Sequence, residues 1–259
     1  MIRIENLTFS YNDKEQRPVL EAINLQINSG EFFGIIGPNG SGKTTLFKLI
    51  LGFLKPDSGT IKIEGDNLRD IRRKEIARKV SAVMQDFLPA YDFTVQEIVH
   101  MGRTPYLGLF SGEEEKDYRI VREVIEETEL SGFEEKTFSR LSGGEKQRVL
   151  IAKCFAQKTP ILLLDEFVSH LDLGHIQQLV QRVSQKNKKE NVTVLGIFHD
   201  INTASLYCDR LAVLNEGKIV KTGPPAQVID EEMLTRVYNA KGFVIQHPKT
   251  GKPQVLLQK

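Results

Sequence analysis

The chain has 259 residues, enough to bury one large core without disulfides, and its 35 Lys+Arg against 34 Asp+Glu leave a net charge of +1. That balance gives no general electrostatic reason to expect nucleic acid or an anionic membrane surface as the main partner. Cys154 and Cys208 sit in unrelated contexts without metal-ligand spacing, which suits ordinary packing in a reducing cytosol, and no apolar run approaches the ~20 residues that cross a bilayer.

The opening MIRIENLTFSY alternates apolar and polar residues, which reads as a strand over 2–9 rather than a signal peptide. A second alternating run over 19–27, with Ile23, Leu25 and Ile27, completes an antiparallel opening, and Asn28-Ser29-Gly30 turns the chain. Tyr11 closes the first run, where its ring either covers a core edge or stacks on a base. Glu31 to Ile36 is an apolar run of buried-strand length, Leu46 to Leu51 reads as a helix that stops at Gly52, and between them lies GPNGSGKTT, Gly37 to Thr45.

This stretch fits a glycine, four residues, then Gly-Lys-Ser/Thr, in the strand-loop-helix setting the pattern requires. Gly37, Gly40 and Gly42 let the backbone wrap an anion, with Pro38, Asn39 and Ser41 completing the loop. Backbone N–H groups and the helix start then face the phosphates. Lys43 would reach the β- and γ-phosphates, Thr44 would give its hydroxyl to magnesium, and Thr45 would hold the α-phosphate side.

Pro56-Asp57-Ser58-Gly59 is a turn, followed by a strand over Thr60–Ile63. The basic run from Arg69 to Lys79 reads as a solvated helix face with Asp70 and Glu75 as partners, and Val80 to Met84 as a short strand ending at Gln85. From Asp86 to Gly112 the chain is rich in aromatics, Pro and Gly. An amphipathic helix follows over Glu113–Leu130, with Tyr118, Val121, Val124 and Ile125 on one face. Leu141-Ser142-Gly143-Gly144-Glu145 precedes the helix-forming run Lys146 to Gln157, a second helix start suited to an anion.

The apolar run Ile161–Leu164 ends in Asp165-Glu166, and the strand Val192–Phe198 ends in His199-Asp200. The phosphate loop, Asp165, Glu166 and His199 thus all fall at the carboxyl ends of strands, the edge where ligands bind in open α/β sheets. Between them, a helix over 173–186 turns Ile176, Leu179, Val180 and Val183 to a core. Asn215-Glu216-Gly217 joins a hairpin, and 224–259 reads as a helix and an irregular tail.

Phosphoryl transfer to water needs positioned phosphates, a metal, an oriented water and groups that absorb developing charge. Asp165 would hold magnesium directly or through an intervening ligand, and Glu166 would polarise the attacking water. Gln85 and His199 are neutral polar groups suited to sensing the γ-phosphate and the water.

In these residues the chain resembles, over nearly its whole length, the ATP-binding subunit of an ATP-binding-cassette (ABC) transporter. GPNGSGKTT is similar to the family's phosphate loop (Walker A), Gln85 to its Q-loop and LSGGEKQR (Leu141 to Arg148) to its signature. ILLLDE (Ile161 to Glu166) matches the Walker B strand, SHLD (Ser169 to Asp172) the D-loop, His199 the switch histidine and Tyr11 the adenine-stacking position. The resemblance implies an α/β P-loop NTPase core of RecA-like type with an antiparallel β subdomain, over about 1–85 and 159–259, and an inserted helical subdomain over about 86–158. It implies Mg2+ at Thr44, Gln85 and Asp165, and catalytic roles for Glu166, His199 and Gln85. It also implies a head-to-tail homodimer in which ATP on one phosphate loop meets Ser142, Gly143, Gly144 and Asp172 of the other copy. Phe167-Val168 departs from the family's usual proline and small residue and leaves every polar role filled.

A narrower resemblance links FTVQEIVHMGRTPYLGLF (Phe93 to Phe110), LDLGHIQQ (Leu171 to Gln178) and HDINTASLYCDR (His199 to Arg210) to importers of iron-siderophore, haem and cobalamin chelates. It implies two separate permease subunits, a substrate-binding protein acting through them, no nucleic acid, and a place on the cytoplasmic face of the membrane. The permease would dock near 86–112, with Arg103 on the docking surface. Importers of molybdate or another metal, and the soluble ABC ATPase of iron-sulfur cluster assembly, are the alternatives.

Overall fold

The structure is a computed structural model that describes residues 1–11, 17–84, 89–108, 112, 114–168 and 171–258. β1 (Ile2–Phe9) and β2 (Leu20–Ile27) pair antiparallel, with Ile2 opposite Ile27 and Ile4 opposite Leu25. β3 (Phe32–Ile36) feeds the glycine loop and α1 (Lys43–Ile50). β4 (Ser58–Ile63) then pairs antiparallel with the other edge of β1, and the two-residue β5 (Asp66–Asn67) completes a four-stranded sheet ordered β2-β1-β4-β5. The basic run divides into a 3-10 turn at Leu68–Asp70 and α2 (Arg73–Lys79), whose start is closed by a reciprocal pair of bonds between Arg72 and Glu75.

β6 (Val80–Val83), β7 (Ile161–Asp165) and β8 (Thr193–Ile197) join β3 in a parallel sheet, which β9 (Arg210–Asn215) and its antiparallel hairpin partner β10 (Lys218–Gly223) complete in the order β10-β9-β3-β8-β7-β6. Between β6 and β7 the chain forms α3 (Val95–His100), a 3-10 segment at Met101–Tyr106, α4 (Glu115–Glu127) and α5 (Gly143–Ala156). α6 (Leu173–Glu190) links β7 to β8, and α7 (Ile201–Tyr207) links β8 to β9. α8 (Pro225–Val228) and α9 (Glu231–Tyr238) lead to a final hairpin, β11 (Gly242–Gln246) and β12 (Pro253–Leu257).

The parallel strands read as unbroken apolar runs because both their faces are covered, and successive side chains point to opposite faces. Phe32, Ile36, Leu162, Leu164 and Val194 join the core under α4, α5 and α6. Their neighbours Phe33, Ile35, Ile161, Leu163 and Leu195 join a second core with α1 and the inner face of the antiparallel sheet. The sheet is thereby clamped, and the loops at its carboxyl edge are held from both sides.

Three expectations change. The tail is a β-hairpin, tied to α7 by Asn202, which donates to the Val255 carbonyl at 3.1 Å and accepts from its N–H at 2.7 Å. On α4, Val121, Val124 and Ile125 are buried, but Tyr118 is 41% exposed and meets His100 edge-on. Arg103, expected on a docking surface, is only 4% exposed. Its Nε donates to Asp117 Oδ1 at 2.9 Å and its Nη1 to the Ala156 carbonyl at 2.7 Å, while its guanidinium lies 4.2 Å from the centre of the Tyr106 ring. A long cationic side chain buries readily when its charge is matched and its donors are used.

Candidate active site

Because β8 lies between β3 and β7, the loops leaving all three come together at the carboxyl edge of the sheet. A cavity of about 360 Å³ opens there, lined by Asn39, Gly40, Lys43, Thr44, Thr45, Glu166 and His199 among others. Three sequence motifs, the glycine loop, Glu166 and His199, therefore supply one concave site although they lie far apart along the chain.

The glycine loop has its shape for steric reasons. A Cβ on Gly37 would sit 2.0 Å from the Leu214 carbonyl oxygen, and Gly42, which starts α1, holds φ at 103°. Lys43 is buried, and its Nζ donates to the carbonyls of Gly37 at 2.9 Å and Pro38 at 2.8 Å. Burial lowers its pKa, against the opposing charges of Glu166 and Asp165. The ammonium is thus held at the loop by weakly competing carbonyls, poised to transfer to an anion. Tyr11, 50% exposed, places its hydroxyl 3.2 Å from Thr45 Oγ1 and its ring edge-on to Phe9, which leaves a ring face beside the loop. Sequence reasoning did not single out Tyr238. Burial pushes its hydroxyl pKa up, and a hydrogen bond with the Gly37 backbone opposes that shift, linking α9 to the loop.

Thr44 Oγ1 donates to Asp165 Oδ1 at 3.5 Å, and among the described residues the buried Asp165 Oδ2 has no hydrogen-bond partner. Burial first, and the neighbouring charge of Glu166 second, push the Asp165 carboxyl up to about 6. A half-buried hydroxyl beside a buried carboxylate forms a donor set suited to a hard divalent cation such as Mg2+. Gln85, the third expected ligand, lies outside the described residues.

Glu166 follows β7 with φ at 49°, a left-handed conformation that costs of order 1–3 kcal/mol in a non-glycine residue. That backbone aims its carboxylate along the sheet edge, where Oε1 meets His199 Nε2. Phe167, the departure from the family pattern, is fully buried and packs edge-on against Phe198, with ring centres 5.8 Å apart. The residues after Glu166 and before His199 are thereby joined by an aromatic contact in the core.

Ser142 caps α5. Its Oγ accepts from Glu145 N at 3.3 Å, and the Glu145 carboxylate accepts from Ser142 N at 2.6 Å. Asp172 caps α6, and its bonds from the backbone and ring of His175 hold its carboxyl below the usual range. Among the described residues, Ser142, Gly143, Gly144 and Asp172 do not line the phosphate-loop cavity. Ser169 and His170 of the SHLD stretch lie outside the described residues.

The ABC transporter family model matches residues 20–169. This chain belongs to that family. It is an ABC-type ATPase, and its relatives include the ferric enterobactin transport ATP-binding protein FepC of Escherichia coli, 34% identical over 98% of this chain and 93% of that protein. The hemin import ATP-binding protein HmuV of Streptomyces coelicolor is 36% identical over 91% of this chain and 83% of its own length. An uncharacterized ABC transporter ATP-binding protein of Bacillus subtilis, YvrA, is 36% identical over 99% of this chain, which spans 58% of that relative's length. Among solved structures, a transporter described as of the metal-chelate type, in an inward-facing conformation, matches with a TM-score of 0.86 at 25% identity, covering all of this chain and 97% of that one. An ATP-binding cassette solved as a dimer in a post-hydrolysis state with ADP and phosphate matches with a TM-score of 0.76 at 30% identity, covering 86% and 98%. Among the described residues, no helix is long and apolar enough to cross a membrane.

Proposed function

We propose that this ABC ATPase powers import of a metal chelate, namely an iron-siderophore, haem or cobalamin. It does so as a head-to-tail homodimer on two membrane-spanning permease subunits, at the cytoplasmic face of the membrane. The observation that carries the dimer is the division of the site. The cavity holds the phosphate loop, Glu166 and His199, while the second anion-suited helix start, at Ser142 to Gly144, lies elsewhere on the chain. A second copy would bring that helix start to the nucleotide, and a related cassette was solved as a dimer. The chelate class rests on the likeness to ferric enterobactin and hemin transport subunits along nearly the whole chain.

In this reading, backbone N–H groups of the loop and Lys43 bind the ATP phosphates, the Tyr11 ring stacks on adenine, and Glu166 takes a proton from the attacking water as the water oxygen bonds to Pγ and the bridge to Pβ breaks. His199 holds the Glu166 carboxylate in place. Thr44, Asp165 and Gln85 would hold Mg2+, which when bound offsets charge on the β- and γ-phosphates. ATP binding closes the dimer, and hydrolysis with product release reopens it.

For the permease contact, the groove lined by Thr94, Gln96, His100, Thr104, Leu107 and Tyr118, about 410 Å³, replaces the Arg103 surface as the proposed seat. The function is tested by deleting the gene and measuring uptake of labelled ferric siderophore, haem and cobalamin. Loss of uptake of one chelate, restored by the native chain and not by Glu166→Gln, is expected. Undiminished uptake of all three would overturn the chelate assignment.

A further inference from the structure

LDLGHIQQ carries a histidine, His175, to which the catalytic scheme gives no part. Its surroundings are specific. Both oxygens of Asp172 are committed to it, Oδ1 accepting from the His175 backbone N–H at 2.9 Å and Oδ2 lying 2.7 Å from ring Nδ1. A carboxylate only accepts, so the proton sits on Nδ1 and the ring has one orientation. The opposite edge of that ring occupies the space that a side chain on Gly144, in the first turn of α5, would need. A Cβ added to Gly144 would come within 2.9 Å of His175 Cδ2, 3.3 Å of Cγ and 3.4 Å of Nε2. Two parts of the chain some thirty residues apart, the start of α6 and the start of α5, are therefore in contact through one imidazole.

We infer that His175 is a positioning residue for the ATPase reaction, locking Asp172 to Gly144 so that the two surfaces a second copy must meet move as one piece. The inference rests on the dimeric reading above. Without the ring, Asp172 still caps α6 through the backbone bond, and Ser142 still caps α5, so each helix keeps its start. What is lost is their fixed spacing. Closing the dimer then requires ordering both surfaces separately, an added cost paid at association and not in binding ATP to one subunit.

The test places His175→Ala in full-length Glu166→Gln protein and measures three quantities: ATP-driven association by sedimentation, affinity of the lone subunit for a fluorescent ATP analogue, and melting temperature. Association about tenfold weaker than in the Glu166→Gln parent is expected, on the scale of coupling between contacting groups. Lone-subunit affinity and melting temperature should match the parent, and His175→Asn, which keeps a donor for Asp172 Oδ2, should recover part of the loss. Parental association in His175→Ala overturns the inference. A lowered melting temperature with equally weakened lone-subunit binding also overturns it, showing a structural contact only. If the Glu166→Gln parent itself stays monomeric with ATP, the dimeric reading fails and the inference falls with it.

Discussion

Glu166 Oε1 and His199 Nε2 meet directly, although they follow different strands, β7 and β8. The two strands are sheet neighbours in register, Asp165 opposite Ile197, so the residues just beyond their ends are brought within reach by the ladder itself. The left-handed backbone at Glu166 completes the approach.

If Glu166 is the proton acceptor, as proposed, replacing it with Gln keeps the shape and removes that function. Steady-state ATP hydrolysis should fall by at least about 10²-fold, the scale of a lost general base, while ATP binding persists. An unchanged rate in the purified variant would remove Glu166 from that role.

Arg103 and Asp117 form a buried pair, so Arg103→Glu should destabilise the fold by about 3–5 kcal/mol, visible as a lowered urea midpoint. Burial raises the Asp117 carboxyl pKa, but the Arg103 hydrogen bond and the Glu114 N–H outweigh it and hold the carboxyl below its ordinary value. The native carboxyl therefore gives up its proton at lower pH than the unfolded one. Its stabilisation is complete above the unfolded value of about 4 and is lost as pH falls through the native one. Urea midpoints across that acid range should fall less steeply in Asp117→Asn than in the native chain.

Asp165 carries a buried charge next to Glu166, and one of its oxygens has no hydrogen-bond partner among the described residues. Asp165→Asn should stabilise the ligand-free protein at neutral pH by about 2–3 kcal/mol, from a shift of about two pH units at 1.36 kcal/mol each. The same change should abolish Mg2+-dependent hydrolysis. Calorimetry showing an unchanged or lower melting temperature would contradict the electrostatic account.

If the Tyr11 ring stacks on adenine, Tyr11→Ala should weaken ATP binding by about 1–3 kcal/mol, roughly 5- to 150-fold. Tyr11→Phe should stay within about threefold, because the hydroxyl contact to Thr45 is partly exposed. Equal losses in both variants, measured by titration calorimetry, would assign the effect to the hydroxyl instead.

That the glycine loop, Asp165-Glu166 and His199 lie at one sheet edge was legible because phosphate-binding loops need fixed residue types at fixed spacing. Gly37 to Thr45, Asp165-Glu166 and His199 each stand at the end of a short apolar run, the pattern of a strand buried on both faces. Arg103 was misplaced because charge alone does not report burial, and its partner Asp117 belongs to another helix. The tail hairpin was missed because its inner residues Val244 and Val255 are only half-buried while Phe243, Ile245 and Leu256 remain exposed, so the alternation marks no core face. The His175 contact to Gly144 depends on how α6 packs beside α5, which no local pattern encodes.

The proposed function makes this ATPase the partner of a membrane permease. Its most direct test is to solubilise membranes from cells carrying tagged Glu166→Gln protein, purify the protein with ATP and Mg2+, and identify and quantify what accompanies it by mass spectrometry. A many-spanning permease at equal stoichiometry is expected. Recovery from the soluble fraction with iron-sulfur assembly proteins and no permease would contradict it, while leaving the ATP chemistry intact.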